Sequence, residues 1–427
     1  MKPVLQVALD LVNMDRAFQI AREAVEGGVD WLEAGTPLIK AEGMNAVRRL
    51  AELEVPVVAD MKTMDVGDVE VEMAAKAGAS VVCLLGVASD ETLREGIAAA
   101  HRYGTEILVD LIGVPHLEER ARQVEELGAD YVGVHVSIDE QMTGRQPFED
   151  IQRVASCCSI PVAAAGGITS ETAPLAIENG ACIVIVGGAI IKAEQVSEAA
   201  RTIKTAMQEG KAIKSDQFKK YGRGEIRQAL QRVSACNVCD AMHNAGGLRG
   251  IRPLKEGYHL VGPALTVKTL DGDWAKVVEA IDVADEGDII VVQAAPGNQA
   301  VWGELATWSA VKNGVGGVVI DGAVRDVGDI RQQDIPVFAR HMVAEAGEPK
   351  GYGEIGYDII CGGQTVRSGD WLVGDDSGLV VIPKERAQEI ANRAVNVHER
   401  ENRMREEIKR GSSLGRVLEL EKWEKKR

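Results

Sequence analysis

The stretch VPVVADMKTMD, Val55 to Asp65, places Asp60, Lys62 and Asp65 directly behind an apolar run. Two carboxylates and an ammonium at the end of a buried run are ionisable groups of the kind that active sites collect. Side chains alternate along a strand, so Val58, Asp60 and Lys62 should share one face, with Asp65 in the loop beyond. Other apolar runs end alike: Asp10 follows VLQVAL, Glu33 sits in WLEAG, and His135 closes YVGVH. Imidazole titrates near neutral pH, which makes His135 a candidate general acid or base. Any one of these groups alone reads as a solvated loop charge. Together they read as one site.

The elements that must position them follow from a period in the chain. Short runs rich in Val, Ile and Ala (VLQVALD, VDWLEAG, VPVVADM, SVVCLLG, TEILVDL, DYVGVHV, IPVAAAG and CIVIVGG) alternate with segments of helical spacing such as MDRAFQIAREAVEGG. Gly28, Gly78, Gly128 and Gly180 recur at a nearly constant interval as helix terminators, as repeated double β-α units require. Residues 1–210 therefore predict a parallel (β/α)8 barrel, although a doubly wound open sheet gives a similar pattern. In a barrel, charges at the C-terminal ends of strands gather at one mouth. The seventh and eighth runs end in AAAGGI and IVGGAI, and paired glycines there let backbone N–H groups approach an anion. Gly166, Gly167, Gly187 and Gly188 are thus candidates for binding a phosphorylated substrate.

With 427 residues, 45% hydrophobic and 26% charged, the chain suits two or three globular domains. A net charge of -17 argues against nucleic acid or anionic membrane as a partner. There is no run of about 18 apolar residues and no secretion signal at the start, so a cytoplasmic protein is expected. Seven cysteines do not suggest a disulfide framework, and Cys236 and Cys239, spaced C-x-x-C, lack a second pair to complete a zinc site.

The motifs D-x-K-x-x-D at Asp60, Lys62 and Asp65, with ALD, LEAGTPLI, HVSIDEQMTGRQP and AGGI, resemble the orotidine-monophosphate decarboxylase superfamily and, within it, the 3-hexulose-6-phosphate synthases. The resemblance covers residues 1 to about 210. It implies a Mg2+ ion (or Mn2+) held by Glu33 and Asp60, which stabilises the enediolate of ribulose 5-phosphate as it adds to formaldehyde, giving D-arabino-3-hexulose 6-phosphate. Lys62 would add positive charge, His135 would move the proton, Asp10 would bind a sugar hydroxyl, and Asp65 would reach into the neighbouring site of a barrel dimer. The 3-keto-gulonate-phosphate decarboxylases of the superfamily are the alternative. They usually carry Arg where this chain has Ile138, which favours the synthases, whereas Ser137 stands where the synthases usually have Gly.

Residues 211–224, basic and poor in apolar side chains, read as a linker. The second half, 225–427, is Gly-rich, with short strands expected at LVGPALTVKTL, DIIVVQAA, GVGGVVIDGA, IPVFAR and GLVVIP, and a charged helical tail that suits an oligomer face or solvent. Gly303, Glu304 and Leu305 could present helix-start N–H groups to a carboxylate, while Asp321, Arg325 and Asp326 are expected in one loop. There Arg325 offers a planar fork and Asp326 a hard metal ligand. The pattern G-N-x-x-A-x-x-G-E-L, then D-G-x-x-R-D, resembles the family of 4-hydroxy-4-methyl-2-oxoglutarate aldolase and the regulator of ribonuclease activity A. That implies a swivelling β/β/α domain in trimers or hexamers, and either a metal-dependent aldolase or decarboxylase of a 2-oxo acid, or a non-catalytic ribonuclease-binding or assembly module.

Overall fold

The computed structural model describes residues 2–215, 218–418 and 420. The chain divides into two compact units, Met1–Lys220 with the described residues from Glu399 on, and Tyr221–His398.

In the first unit eight strands close a barrel: β1 (Val4–Leu9), β2 (Trp31–Ala34), β3 (Val57–Thr63), β4 (Val81–Leu85), β5 (Glu106–Asp110), β6 (Tyr131–His135), β7 (Val162–Ala165) and β8 (Ala181–Val186). Neighbours are parallel, and β8 pairs with β1 to close the ring. This is the expected (β/α)8 architecture rather than the open sheet. Outward side chains such as Val57, Ala59, Val82 and Val109 join the surrounding helices in the main core. Inward side chains, among them Val58, Cys83, Leu108 and Ile183, fill the interior. The alternation that buries Val58 also sends Asp60, two residues on, inward at the mouth.

Local chemistry repeats with the double unit. Asp30, just before β2, accepts a hydrogen bond from Leu5 N at 2.7 Å, and Asp130, just before β6, accepts one from Ile107 N at 2.8 Å. Each ties the start of one strand to the next. Asn13 and Ser89 cap the helices Met14–Glu26 and Asp90–Tyr103.

The second unit is built on a mixed sheet. Leu260–Lys268, Ile289–Gln293, Gly317–Val324 and Val337–Met342 run parallel, and Trp371–Asp375 and Gly378–Ile382 continue the sheet antiparallel. Every residue of Gly317–Val324 is buried, as expected for a central parallel strand covered on both faces. All five strand runs expected from the sequence are strands.

Two boundaries differ from the sequence reading. Residues 211–215, expected as linker, are bonded to the barrel: Ile213 N donates to Ser170 O at 3.2 Å, Ser170 Oγ to Ile213 O at 2.8 Å, and Ser215 N to Glu171 Oε1 at 2.8 Å. The tail from Glu399, assigned to the second domain, packs in the barrel unit. Arg403, nearly buried, donates to Ala193 O and Glu194 O, and Glu407 pairs with Arg16 at 2.9 Å. Charge on these segments serves intramolecular bonds, which composition alone cannot distinguish from solvation.

Asp130→Ala should cost about 1–3 kcal/mol, because it strands the N–H of fully buried Ile107. Glu149→Ala, exposed, should stay within about 0.5 kcal/mol. Thermal or denaturant unfolding of both variants against the parent checks the contrast.

Candidate active site

Rim residues of the barrel converge where strand alternation sends them. Lys62 Nζ lies 2.9 Å from Asp60 Oδ2 and 3.3 Å from Asp110 Oδ2. That same Asp110 oxygen accepts the His135 Nδ1 hydrogen bond at 2.8 Å. Asp60 Oδ2 also accepts from Thr36 Oγ1 at 2.7 Å. Alternation from Asp60 sends Lys62 to the same side of β3. The φ of Lys62 is +48°, and the pairing of β3 with β4 shifts register between Ala59 and Thr63, so a bulge sits where the lysine enters the mouth.

Charge in this mouth is poorly hydrated. Burial, then the Asp60 and Asp10 carboxylates, push the Glu33 carboxyl well above its ordinary range, against the opposing effect of the Gln6 hydrogen bond. Asp10 has an edge in solvent, yet protein crowds its carboxyl, and that loss of hydration followed by the Asp60 charge raises it too. For Asp110, burial also acts upward, but the His135 hydrogen bond and the Lys62 and His135 charges outweigh it and hold the carboxyl low. Lys62 is raised, because the Asp60 and Asp110 carboxylates overcome its own desolvation.

Glu33, Asp60, Lys62, His135 and Asp10 are thus brought together as the sequence suggested. Asp65 is not. It is exposed, and its Oδ1 accepts from Val66 N at 2.8 Å, beside exposed Met64 and Val66. Sequence reasoning missed Asp110, which ends β5 as Asp60 lies near the end of β3, and the strand-end criterion applied to TEILVDL would have found it. It also missed Gln6, fully buried, whose Nε2 donates to Glu33 while Oε1 has no partner among the described residues. Ser137 caps the helix Ile138–Met142 in a capping box with Glu140, and Ile138 is 61% exposed.

A divalent cation fits this donor set. Glu33 and Asp60 are hard carboxylates under mutual repulsion, and the orphaned Gln6 oxygen lies beside them. Among the described residues no three His, Cys, Asp or Glu side chains form a closed cage. Mg2+ commonly uses one or two carboxylates and leaves the remaining positions to water and substrate.

The glycine turns lie at the same rim. Gly166 and Gly167 have φ of +113° and +69°, and a Cβ on Gly166 would sit 2.6 Å from Val136 O. A Cβ on Gly187 would lie 3.7 Å from Asp10 Oδ2.

In the second unit, Gly303 precedes the helix Glu304–Lys312, and Glu304 N donates to Asp326 Oδ2 at 3.3 Å. Arg325 Nε is 3.4 Å from the same oxygen, and Asp326 has φ of +56°. Leu305 at the helix start is 78% exposed. Asp321, expected in this loop, is instead inside the strand Gly317–Val324, where it pairs with Arg340 and accepts from Gly362 N at 2.7 Å. The strand continues past the run from which its end was read, so Asp321 holds backbone together away from the cluster.

The family described as orotidine 5'-phosphate decarboxylase / HUMPS matches residues 3–203, and RraA-like, Aldolase/RraA, matches residues 235–381. A 3-hexulose-6-phosphate synthase of Staphylococcus aureus (strain bovine RF122 / ET3-1) is 42% identical over 210 residues, which are 48% of this chain and 99% of that protein. The chain belongs to the orotidine 5'-phosphate decarboxylase / HUMPS family. The family's barrel makes up its first unit, and the second carries the RraA-like match. A synthase of the same name from Staphylococcus epidermidis is 41% identical over 210 residues, again 48% of this chain and 99% of that protein. The crystal structure of 3-hexulose-6-phosphate synthase from Salmonella typhimurium shares 37% identity over 49% of this chain and 100% of that one, with a TM-score of 0.47. Among the described residues no helix is long and apolar enough to cross a membrane.

Gly166→Ala should destabilise the barrel by about 1–3 kcal/mol, since it adds a collision with Val136 backbone to a left-handed φ. Gly210→Ala, with φ of +64° and open space around it, should cost about 1 kcal/mol. Unfolding midpoints of the two variants, converted to free energy, measure the difference.

Proposed function

We propose that the barrel interconverts D-arabino-3-hexulose 6-phosphate with ribulose 5-phosphate and formaldehyde. The observation that carries this reading is the single Asp110 oxygen shared by Lys62 and His135, beside the Glu33 and Asp60 carboxylates. In the synthetic direction His135 takes a proton from C1 of ribulose 5-phosphate. The electron pair left at C1 is delocalised with the adjacent carbonyl as an enediolate, then attacks the formaldehyde carbon to form the new C–C bond, while the formaldehyde C=O π pair becomes an alkoxide that takes the proton back from His135. Asp110 holds the ring through Nδ1, which leaves the opposite nitrogen for proton transfer. Lys62 places its ammonium against the developing oxyanion in a poorly hydrated mouth, where such a charge acts most strongly. Asp10 binds a sugar hydroxyl, Gly166, Gly167, Gly187 and Gly188 present backbone to the phosphate, and Asp65 serves the site of a second barrel in a dimer. Glu33 and Asp60 would hold Mg2+ or Mn2+, which would supply positive charge to offset the negative charge of the enediolate. In the decarboxylase alternative a 3-keto acid would lose CO2 to leave the enediolate, which would take a proton from His135 instead of adding to formaldehyde.

For the second unit we propose a metal-dependent lyase acting on a small 2-oxo acid. Arg325 would grip the carboxylate, Asp326 would hold the cation, and Gly303, Glu304 and Leu305 would contribute N–H groups and a carboxyl nearby. The second reading, a ribonuclease-binding or assembly module, draws on the exposure of Leu305 and Trp308 on one helix. Both readings place a homo-oligomer in the cytoplasm.

Incubation of the full-length protein with ribulose 5-phosphate, formaldehyde and Mg2+, followed by product identification, tests the first reading; absence of hexulose phosphate would sink it. Asp60→Ala and Glu33→Ala should abolish the metal-dependent rate. His135→Ala should lose it while keeping metal affinity, and Asp110→Asn should lower kcat by about 100-fold or more with a smaller change in KM. For the second unit, Arg325→Lys should sharply reduce pyruvate release from 4-hydroxy-4-methyl-2-oxoglutarate or oxaloacetate, because the charge stays but the fork is lost. Wild-type protein that releases no pyruvate with metal present, yet binds an endoribonuclease, would favour the module.

A further inference from the structure

Behind the glycine turn after β8 lies a group of cations that the proposed reaction does not yet use. Lys192 Nζ stands 3.5 Å from where a Cβ on Gly188 would be, so the ammonium closes the side of the turn that the missing side chain leaves open. Asp10 borders the adjacent Gly187. Chain from beyond the family-matched residues 3–203 packs against the residues on either side of Lys192. Ser170 holds Ile213 through two hydrogen bonds, and a cavity of about 300 Å³ is lined by Ser170, Ala189 and Ala193 together with Ser215 and Phe218. Phe218 N donates to Glu399 Oε1, while Arg403 and Arg410 bind the carbonyls of Ala193 and Glu194, immediately after Lys192.

We propose that Lys192 is the side-chain cation of the substrate-phosphate site, and that Lys220 and Glu399, from chain lying beyond the barrel's family-matched stretch, are its positioning residues. This deepens the reading of the barrel as a sugar-phosphate enzyme and rests on it. Among the charged groups of the described residues that act on Lys192, Lys220 and Arg400 repel it, and Glu399 and Asp10 attract it. Burial and then Lys220 depress its ammonium to about 8, while Lys220 itself is lowered mainly by burial. Two crowded ammoniums beside a turn without side chains are relieved by a multivalent anion, and a phosphate dianion bound there would favour the charged form of both.

The test uses full-length protein with inorganic phosphate as the calorimetric probe, alongside KM and kcat for ribulose 5-phosphate. Lys192→Met should weaken phosphate binding and raise KM by at least about 10-fold, with kcat within about threefold; Lys192→Arg should recover most of the loss. Wild-type phosphate affinity should fall as pH rises through about 8, where Lys192 loses its proton. Lys192→Arg should remove that fall. Lys220→Met removes a like charge, raises the proton affinity of Lys192, and should move the fall to higher pH. Unchanged phosphate affinity in folded Lys192→Met overturns the proposal, as does a Lys220→Met profile that coincides with wild type should Lys192→Met fail to fold. Because calorimetry needs no turnover, wild-type protein without synthase activity but with Lys192-dependent phosphate binding would reject the reaction and keep the site.

Discussion

Several carboxylates are held closer in the barrel mouth than their mutual repulsion favours, and Lys62 is the cation that makes this arrangement possible. Its ammonium spans Asp60 and Asp110, two buried acids on strands that are not neighbours, and so neutralises charge that neither strand could bury alone. Opposite charges about 3 Å apart interact strongly once water is excluded, and removal of one partner would leave the others uncompensated. Strand alternation puts Lys62 on the Asp60 side, and a bulge near the end of β3 interrupts the pairing with β4 at this contact. His135 depends on the same acid, because the Asp110 oxygen that faces Lys62 also fixes the imidazole. Glu33 lies outside this neutralised pair, which is why its carboxyl is pushed up and why a cation beside it is the natural complement.

Much of this was legible because the barrel converts sequence order into position. Strand alternation and repeated helix terminators were enough to place Asp10, Glu33, Asp60 and His135 at one rim. What was not legible was partnership. Asp110 carries the same strand-end signal as Asp60, but no rule on a single strand says which acid will meet the lysine of another. Gln6 is a polar side chain in an apolar run, and its role exists only through Glu33 on the next strand. Asp321 shows the opposite error. A carboxylate near a strand end looked like loop chemistry, yet the strand continued and turned it into a tether for Gly362.

The basic stretch after residue 210 illustrates why composition misleads at boundaries. Low apolar content suggested a free connection, but the hydrogen bonds of Ile213 and Ser215 need only backbone groups, one serine and one glutamate. Such bonds leave no trace in hydrophobic periodicity. The charged tail is similar, since Arg403 and Arg410 satisfy main-chain carbonyls at the end of a barrel loop. The barrel unit is therefore larger than the 210 residues shared with the synthases, and its added chain touches the loops that follow β7 and β8.

On the lyase reading proposed for the second unit, Arg325 and Asp326 serve a ligand more than the fold. Their side chains are 46% and 39% exposed, and an ion pair in that setting contributes about 0–1 kcal/mol. The left-handed backbone at Asp326 costs roughly as much or more. The turn thus gains little from the pair it carries. Its effect is to set a carboxylate against the Glu304 N–H at a helix start, with a guanidinium beside it. On that reading, the strain at this exposed charged turn is offset in part by the Glu304 hydrogen bond and in part by a ligand that uses both charges.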